Sequence, residues 1–255
     1  MNAPKSNLKP TCLARTFLSV LTLLICASCQ TPSPLVERAH VLFNGYDLIG
    51  WRQPTGEWMT AEAVGVDASN PTRFVIQPGA GLLVNGREGR TVNLLSEYEH
   101  GDVEAHIEFV VPRNSNSGVY FQGRYEIQIL DSWGVKNPTY SDCGGIYERW
   151  DNRNNRGYEG HAPKVNASRP PGEWQTFDVV FRAPRFDAHG RKTQNARFVK
   201  VVHNGTIIHE NVSLAGPTRA AAFEYDEKPT GPLMLQGDHG PIAFRNLRLK
   251  PVVVR

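Results

Sequence analysis

The chain has 255 residues, 40% of them hydrophobic, and carries 28 basic against 25 acidic side chains. Lys5, Lys9 and Arg15 all precede position 28 and no acid does, so the remainder is balanced at 25 basic against 25 acidic. The basic surplus therefore belongs to the N-terminus, and no basic surface remains to argue for nucleic acid as a partner.

In chain order, the N-terminus comes first. Behind the positive lead, Phe17 to Ala27 is a short apolar run, too brief to span a bilayer comfortably, and Ala27 and Ser28 precede Cys29. This is the pattern of a secretory signal peptide. A cysteine directly after Ala-Ser resembles a bacterial lipobox, with a departure at Cys26, where Leu is usual. The expectation is a lipoprotein-type signal over residues 1–28, lipidation of Cys29 and a tether over 29–37. A domain over 38–255 would follow, anchored to a membrane of the cell envelope by lipid, on the periplasmic side or at the outer membrane. An uncleaved anchor or plain cleavage nearby fits the same residues. Cys12 and Cys26 leave with the signal, so Cys143 is alone in the fold and no intramolecular disulfide is available there. It sits in SDCGGIY with no adjacent His, which favours a structural cysteine over a nucleophile.

Beyond the tether, helix signals are scarce and strand signals recur. Strands are expected at Gly81–Val84, Val103–Val111, Gly118–Phe121, Arg124–Leu130, Gln175–Phe181, Arg197–His203, Thr206–Glu210, Leu233–Gln236 and Ile242–Leu249. Asn204-Gly205 supplies the positive φ values of a two-residue hairpin turn. Many short strands with turn punctuation argue for a β-sandwich or barrel. The segment Asp131–Pro171 is polar and rich in Gly, Asn and Pro, yet carries Trp133, Tyr140, Tyr147, Trp150 and Tyr158. Those aromatics argue against disorder and for an ordered loop packed over one edge of the sheet.

Strand phase locates candidate chemistry. In YEIQILD, Tyr125, Ile127 and Ile129 share one face, and Glu126, Gln128 and Leu130 the other. Val103–Val111 places Glu104, His106 and Glu108 together, and Asn116 and Gln122 run in phase with Tyr120. A polar face can be the solvent side of an antiparallel sheet. That account is weaker for Glu126 and Gln128, whose neighbours are aromatics and amides, a combination that also suits sugar hydroxyls.

Several motifs resemble the bacterial 3-keto-disaccharide hydrolase family. LFNGYDLIGW at Leu42–Trp51 matches its opening motif, followed in order by NSGVYFQ at 116–122, YEIQILD at 125–131 and GGIY at 144–147. PPGEWQTFDVVFRAPRF at 170–186, HNG at 203–205, GPLMLQGDHG at 231–240 and FRNLRLKP at 244–251 complete the series. The resemblance implies an all-β jelly-roll sandwich of concanavalin A-like type and secretion. It also implies a 3-keto oligosaccharide or glucoside substrate, oxidised at C3 by a separate upstream oxidoreductase.

A C3 ketone acidifies the C2 proton, so a base can remove it and the C1 oxygen can leave by β-elimination, after which water adds back. Such a site needs a base, an electrophile for the enolate and an acid for the leaving group. Glu126 is expected as base and His239 as acid or second base. Gln128 and Gln236 are expected to bind the ketone or hydroxyls, with Asn116, Tyr147, Lys164 and Arg245 as further substrate-binding candidates. Arg245 also fits a structural role, pairing with a carboxylate to fix the sheet. A divalent metal is an alternative electrophile, with Glu108, Glu126 and His239 as its ligands. Two other readings stay open: a non-catalytic carbohydrate-binding module, and a two-carboxylate glycoside hydrolase. A retaining hydrolase needs acids about 5–5.5 Å apart, and the strand bearing Glu126 offers an amide where the second acid would stand.

Overall fold

The computed structural model describes Met1 and residues 38–254. The expected signal segment, the tether and Cys29 lie outside the described residues. Sixteen strands are present among the described residues and no α-helix. They are β1 His40–Val41, β2 Met59–Val66, β3 Phe74–Val84, β4 Leu94–His100, β5 Val103–Val110, β6 Asn116–Phe121, β7 Tyr125–Leu130 and β8 Arg149–Asp151. The remainder are β9 Arg156–Tyr158, β10 Gln175–Arg182, β11 Arg185–Phe186, β12 Lys192–Gln194, β13 Ala196–His203, β14 Thr206–Leu214, β15 Gly231–Leu235 and β16 Ala243–Pro251.

Two antiparallel sheets form the jelly-roll sandwich. The larger runs β14-β13-β10-β5-β16-β3-β2, with β1 beside β16, and the smaller runs β4-β15-β6-β7. Alternation along each strand sends one set of side chains between the sheets. Phe109, Phe177, Phe181 and Phe198 from the large sheet meet Phe121, Tyr125, Ile127 and Leu235 from the small one, all buried. Phe121 packs against Phe181 at a ring separation of 5.3 Å, and Tyr125 against Phe181 at 5.6 Å.

Every expected strand is present. Asn204 (φ 49) and Gly205 (φ 81) make the β13–β14 turn, with His203 opposite Thr206. Three sandwich strands escaped the sequence reading: the two-residue β1, β2 and β4. In β2, MTAEAVGV, the small residues Ala61, Ala63 and Gly65 dilute the strand signal, and in β4, LLSEYEH, the polar residues interrupt the apolar alternation.

β7 is the terminal strand of the small sheet, and its outward backbone groups are met by loops. The Glu126 N–H donates to Thr218 Oγ1 at 2.8 Å, and Gln128 N–H to the Gly145 carbonyl at 2.8 Å. Their own carbonyls accept from Tyr147 at 3.3 Å and Gly144 at 2.8 Å. The 131–171 segment thus lies over the sheet edge, as expected, and it contains the short β8–β9 hairpin, which was not. Buried His209 in β14 ties that segment to the large sheet through Nε2 and the Gly144 carbonyl, 2.7 Å apart. Cys143, within the segment, is buried, and burial pushes its thiol up to about 12, so it is inert.

Phe181 joins the aromatic contacts of both sheets. Phe181→Ala is expected to cost about 3–5 kcal/mol in a urea unfolding series, and a cost below about 1 kcal/mol would mean that the inter-sheet aromatics are not the core.

Candidate functional site

β6 and β7 pair in antiparallel register, with Tyr120 opposite Glu126 and Gly118 opposite Gln128. Asn116, Gly118 and Tyr120 therefore share with Glu126 and Gln128 the face turned away from the core. β15 continues that face, since Met234 lies opposite Tyr120 and Gln236 follows the strand end. Asn116, Tyr120, Glu126, Gln128 and Gln236, with Tyr147, Arg219, Ala220 and His239, line a pocket of about 250 Å³.

Glu126 is at the bottom of it, 2% exposed. Gly118 makes this possible: a Cβ there would come within 2.1 Å of Glu126 Oε1. Burial pushes the Glu126 carboxyl up to about 8, and the negative charge of Asp238 adds to the rise. A hydrogen bond from the Tyr120 hydroxyl works in the opposite direction. The same pairing and burial hold the Tyr120 phenol well above its ordinary range, so it stays a donor.

Around this carboxyl, Asn116 Oδ1, Gln128 Oε1 and Gln236 Oε1 are buried and accept no hydrogen bond. An unpartnered buried acceptor costs about 1–3 kcal/mol, and three around one pocket form a receptor for hydroxyl donors. His239 is half-exposed at the mouth, and its Nδ1 lies 2.5 Å from Asp238 Oδ1. With Nδ1–H donated to Asp238, Nε2 is the nitrogen open to proton transfer.

The loop carrying His239 is fixed from below. Asn85, fully buried, donates to the carbonyls of Gly237 and Gly240 at 3.1 and 2.7 Å and accepts from the Ile242 N–H at 2.8 Å. Arg219 is placed by its neighbour Thr218, whose hydroxyl accepts from Glu126 N–H and donates to the Arg124 carbonyl at 2.8 Å. Its guanidinium lies 3.9 Å from the Trp150 ring centroid and 3.8 Å from Glu148 Oε1.

Six of the eight expected catalytic and substrate-binding residues converge here: Asn116, Glu126, Gln128, Tyr147, Gln236 and His239. Two do not. Lys164 is exposed and paired with Glu210 at the outer strand of the large sheet. Arg245 lies in β16 of the large sheet, where Nε donates to Glu108 Oε2 at 2.7 Å and the guanidinium stacks 4.0 Å from the Trp174 centroid. Its structural alternative, fixing the sheet through a carboxylate, is the one realised. Glu108 shares that location, so Glu108, Glu126 and His239 do not assemble as one ligand set. Among the described residues no group of three or more His, Cys, Asp or Glu is arranged to hold a metal ion.

Sequence reasoning missed Arg219, Tyr120 and Asp238 as members of the site. Tyr120 was in phase with Asn116 and could have been included. Arg219 follows a stretch with no periodic pattern, and nothing local marks it.

A profile of the 3-keto-alpha-glucoside-1,2-lyase-like domain matches residues 38–250. A crystal structure of a protein provisionally assigned as a glycosyl hydrolase from Parabacteroides distasonis is similar at 28% identity and a TM-score of 0.61, over 84% of each chain. A second protein so assigned from that organism is 19% identical over 84% of this chain and all of its own, with a TM-score of 0.51, and supports the fold alone. A comparison with curated proteins finds no match.

The raised Glu126 pKa has a thermodynamic consequence. Its unfolded value is near 4.5 and its folded value about 8, so the stability it contributes is full below 4.5 and is lost as pH rises to 8. Glu126→Gln is therefore expected to raise the Tm by several degrees at pH 8 and by almost nothing at pH 4, measured by calorimetry. Equal effects at both pH values would contradict the buried, proton-holding carboxyl.

Proposed function

The chain belongs to the 3-keto-alpha-glucoside-1,2-lyase-like domain family, and we propose that it cleaves 3-keto-glycosides by β-elimination followed by rehydration. The observation that carries this reading is one desolvated carboxyl, Glu126, ringed by three unpaired amide oxygens. A sugar ring entering the pocket presents hydroxyl donors to Asn116, Gln128 and Gln236. Its C2 proton then passes to the Glu126 carboxylate.

The electron pair released at C2 moves first onto the C3 ketone oxygen, giving an enolate. Arg219 is the strongest donor on the pocket wall for that charge, and it keeps free N–H groups because its contacts to Trp150 and Glu148 use the ring face and a long ion pair. Collapse of the enolate forms the C1=C2 double bond and breaks the C1–O bond. The departing oxygen takes a proton from His239 Nε2, whose other nitrogen is held by Asp238. Water then adds its hydroxyl to C1 as its proton passes to His239 Nε2, Glu126 returns the abstracted proton to C2, and the net change is hydrolysis without an oxocarbenium ion.

A base with a pKa near 8 is matched to C–H abstraction, since a weak base would lack driving force and a strong one would stay protonated. A two-carboxylate hydrolase fits less well. Asp238 is sensed by Glu126, but it is exposed and bound to His239. A carbohydrate-binding module would need the amides and aromatics but has no use for a buried carboxyl that lowers stability at neutral pH. The lipid anchor and the upstream oxidoreductase belong to the same proposal, since a ketone must be installed before this site can act.

Glu126→Gln is expected to lower kcat/KM on a 3-keto-glucoside by about 10³-fold. Wild-type kcat/KM should fall about tenfold per pH unit as the pH drops below 8. Turnover of unoxidised glucosides alone would overturn the elimination mechanism. Wild-type-like activity in Glu126→Gln would remove Glu126 as the base. The same assay run with chelator and with added divalent metal tests whether a metal replaces Arg219 as electrophile.

A further inference from the structure

His239 stands at the mouth of the Glu126 pocket, and about half of its side chain and of Asp238's is in water. Among the described residues Asp238 is the only hydrogen-bond partner of the His239 ring. Side chains this exposed have no packing to fix their rotamers, so the direction of the ring follows the backbone beneath it. That backbone belongs to the connection 236–242, which passes from β15 of the small sheet to β16 of the large one.

A second connection, 85–93, passes from β3 of the large sheet to β4 of the small one and is hydrogen-bonded to the first. Gly237 N–H donates to Asn93 Oδ1 at 3.0 Å, and Thr91 N–H donates to the Gly237 carbonyl at 3.0 Å. Asn85 donates to the carbonyls of Gly237 and Gly240, on either side of Asp238 and His239. Beyond them, Ser115 Oγ donates to the Pro241 carbonyl at 2.6 Å. These bonds hold the two ends of the segment and leave its middle to one group. Arg90 Nη1 donates to the Asp238 carbonyl at 2.9 Å, and among the described residues no other hydrogen bond reaches the backbone of Asp238 or His239. Arg90 is exposed, and no residue of 85–93 lines the pocket.

We propose that Arg90 is a positioning residue for the Asp238–His239 pair: from outside the pocket it sets the direction in which His239 Nε2 delivers its proton. The inference rests on the reading that His239 protonates the departing oxygen. With the Asp238 carbonyl tied to Arg90, the Asp238 side chain leaves the backbone at a fixed place, and its hydrogen bond to Nδ1 then fixes both the tautomer and the orientation of the ring. Without that tie the middle of the segment is free between its two held ends. A proton donor displaced by about 1 Å can lose about 10²-fold in rate, and a supporting group that touches no substrate is what keeps such a donor in place. Arg90 thus acts on the leaving-group step and has no part in proton removal by Glu126.

The test compares wild type with Arg90→Ala and Arg90→Lys, changes at an exposed side chain that leave the core intact. Arg90→Ala is expected to lower kcat/KM about tenfold on methyl 3-keto-α-glucoside, whose alkoxide needs a proton to leave, and less than about twofold on the 4-nitrophenyl glycoside, whose anion leaves unaided. Arg90→Lys keeps a donor and is expected to recover most of the loss. In a His239→Ala background, Arg90→Ala is expected to change kcat/KM on the methyl glycoside by less than about twofold, because the two residues act as one unit. Ring-nitrogen NMR of His239, taken with the ring neutral, is expected to show the Nδ1–H tautomer in wild type and an average of both tautomers in Arg90→Ala. Equal losses on the two glycosides, losses that multiply in the His239→Ala background, or an unchanged ring signal would each overturn the positioning role. If the ring signal changes while wild type turns over neither glycoside, Arg90 still positions the pair and the elimination reading falls.

Discussion

The constraint on which the site depends is that β7 is a terminal strand whose faces are both buried. A terminal strand leaves half of its backbone N–H and C=O groups without a ladder partner, and buried polar groups of this kind must be satisfied. Here Thr218, Gly144, Gly145 and Tyr147 do so at Glu126 and Gln128. Tyr147 lines the pocket itself, and Thr218 is followed by Arg219 and Ala220. The hydrogen bonds that close the sheet edge and the placement of the pocket walls are thus one set of interactions.

The pocket opposes the rest of the fold energetically. Aromatic packing between the sheets supplies apolar burial without polar cost. On the other side of the same strands lie a carboxyl that would prefer water and three amide oxygens without donors. Each is a local loss that a ligand bringing hydroxyl donors would offset. Gly118 keeps the loss in place, because any side chain there would displace the carboxyl.

Much of this was legible in the sequence, and the failures have a common cause. Period-two alternation assigned Glu126 and Gln128 to a face opposite the core, and the aromatics of 131–171 identified an ordered cover. Alternation tells which face of its own strand a residue occupies but not which of two sheets that strand joins. Arg245 and Glu108 are as polar and as well phased as Gln236, yet their strands belong to the other sheet, where they pair with each other. Lys164 sits in a loop with no phase at all. Arg219 and Asp238 come from irregular segments, where only tertiary contacts bring a side chain to the pocket or to its partner His239.

Covering β7 also has a consequence for how the protein meets other chains. An open strand edge is a template onto which another chain can add, the first step toward strand-exchanged dimers and fibrils. Along Glu126 to Gln128 that template is occupied by the protein's own loops. The stretch most committed to chemistry is therefore closed to intermolecular pairing, and loosening the cover to widen substrate range would increase the tendency to aggregate.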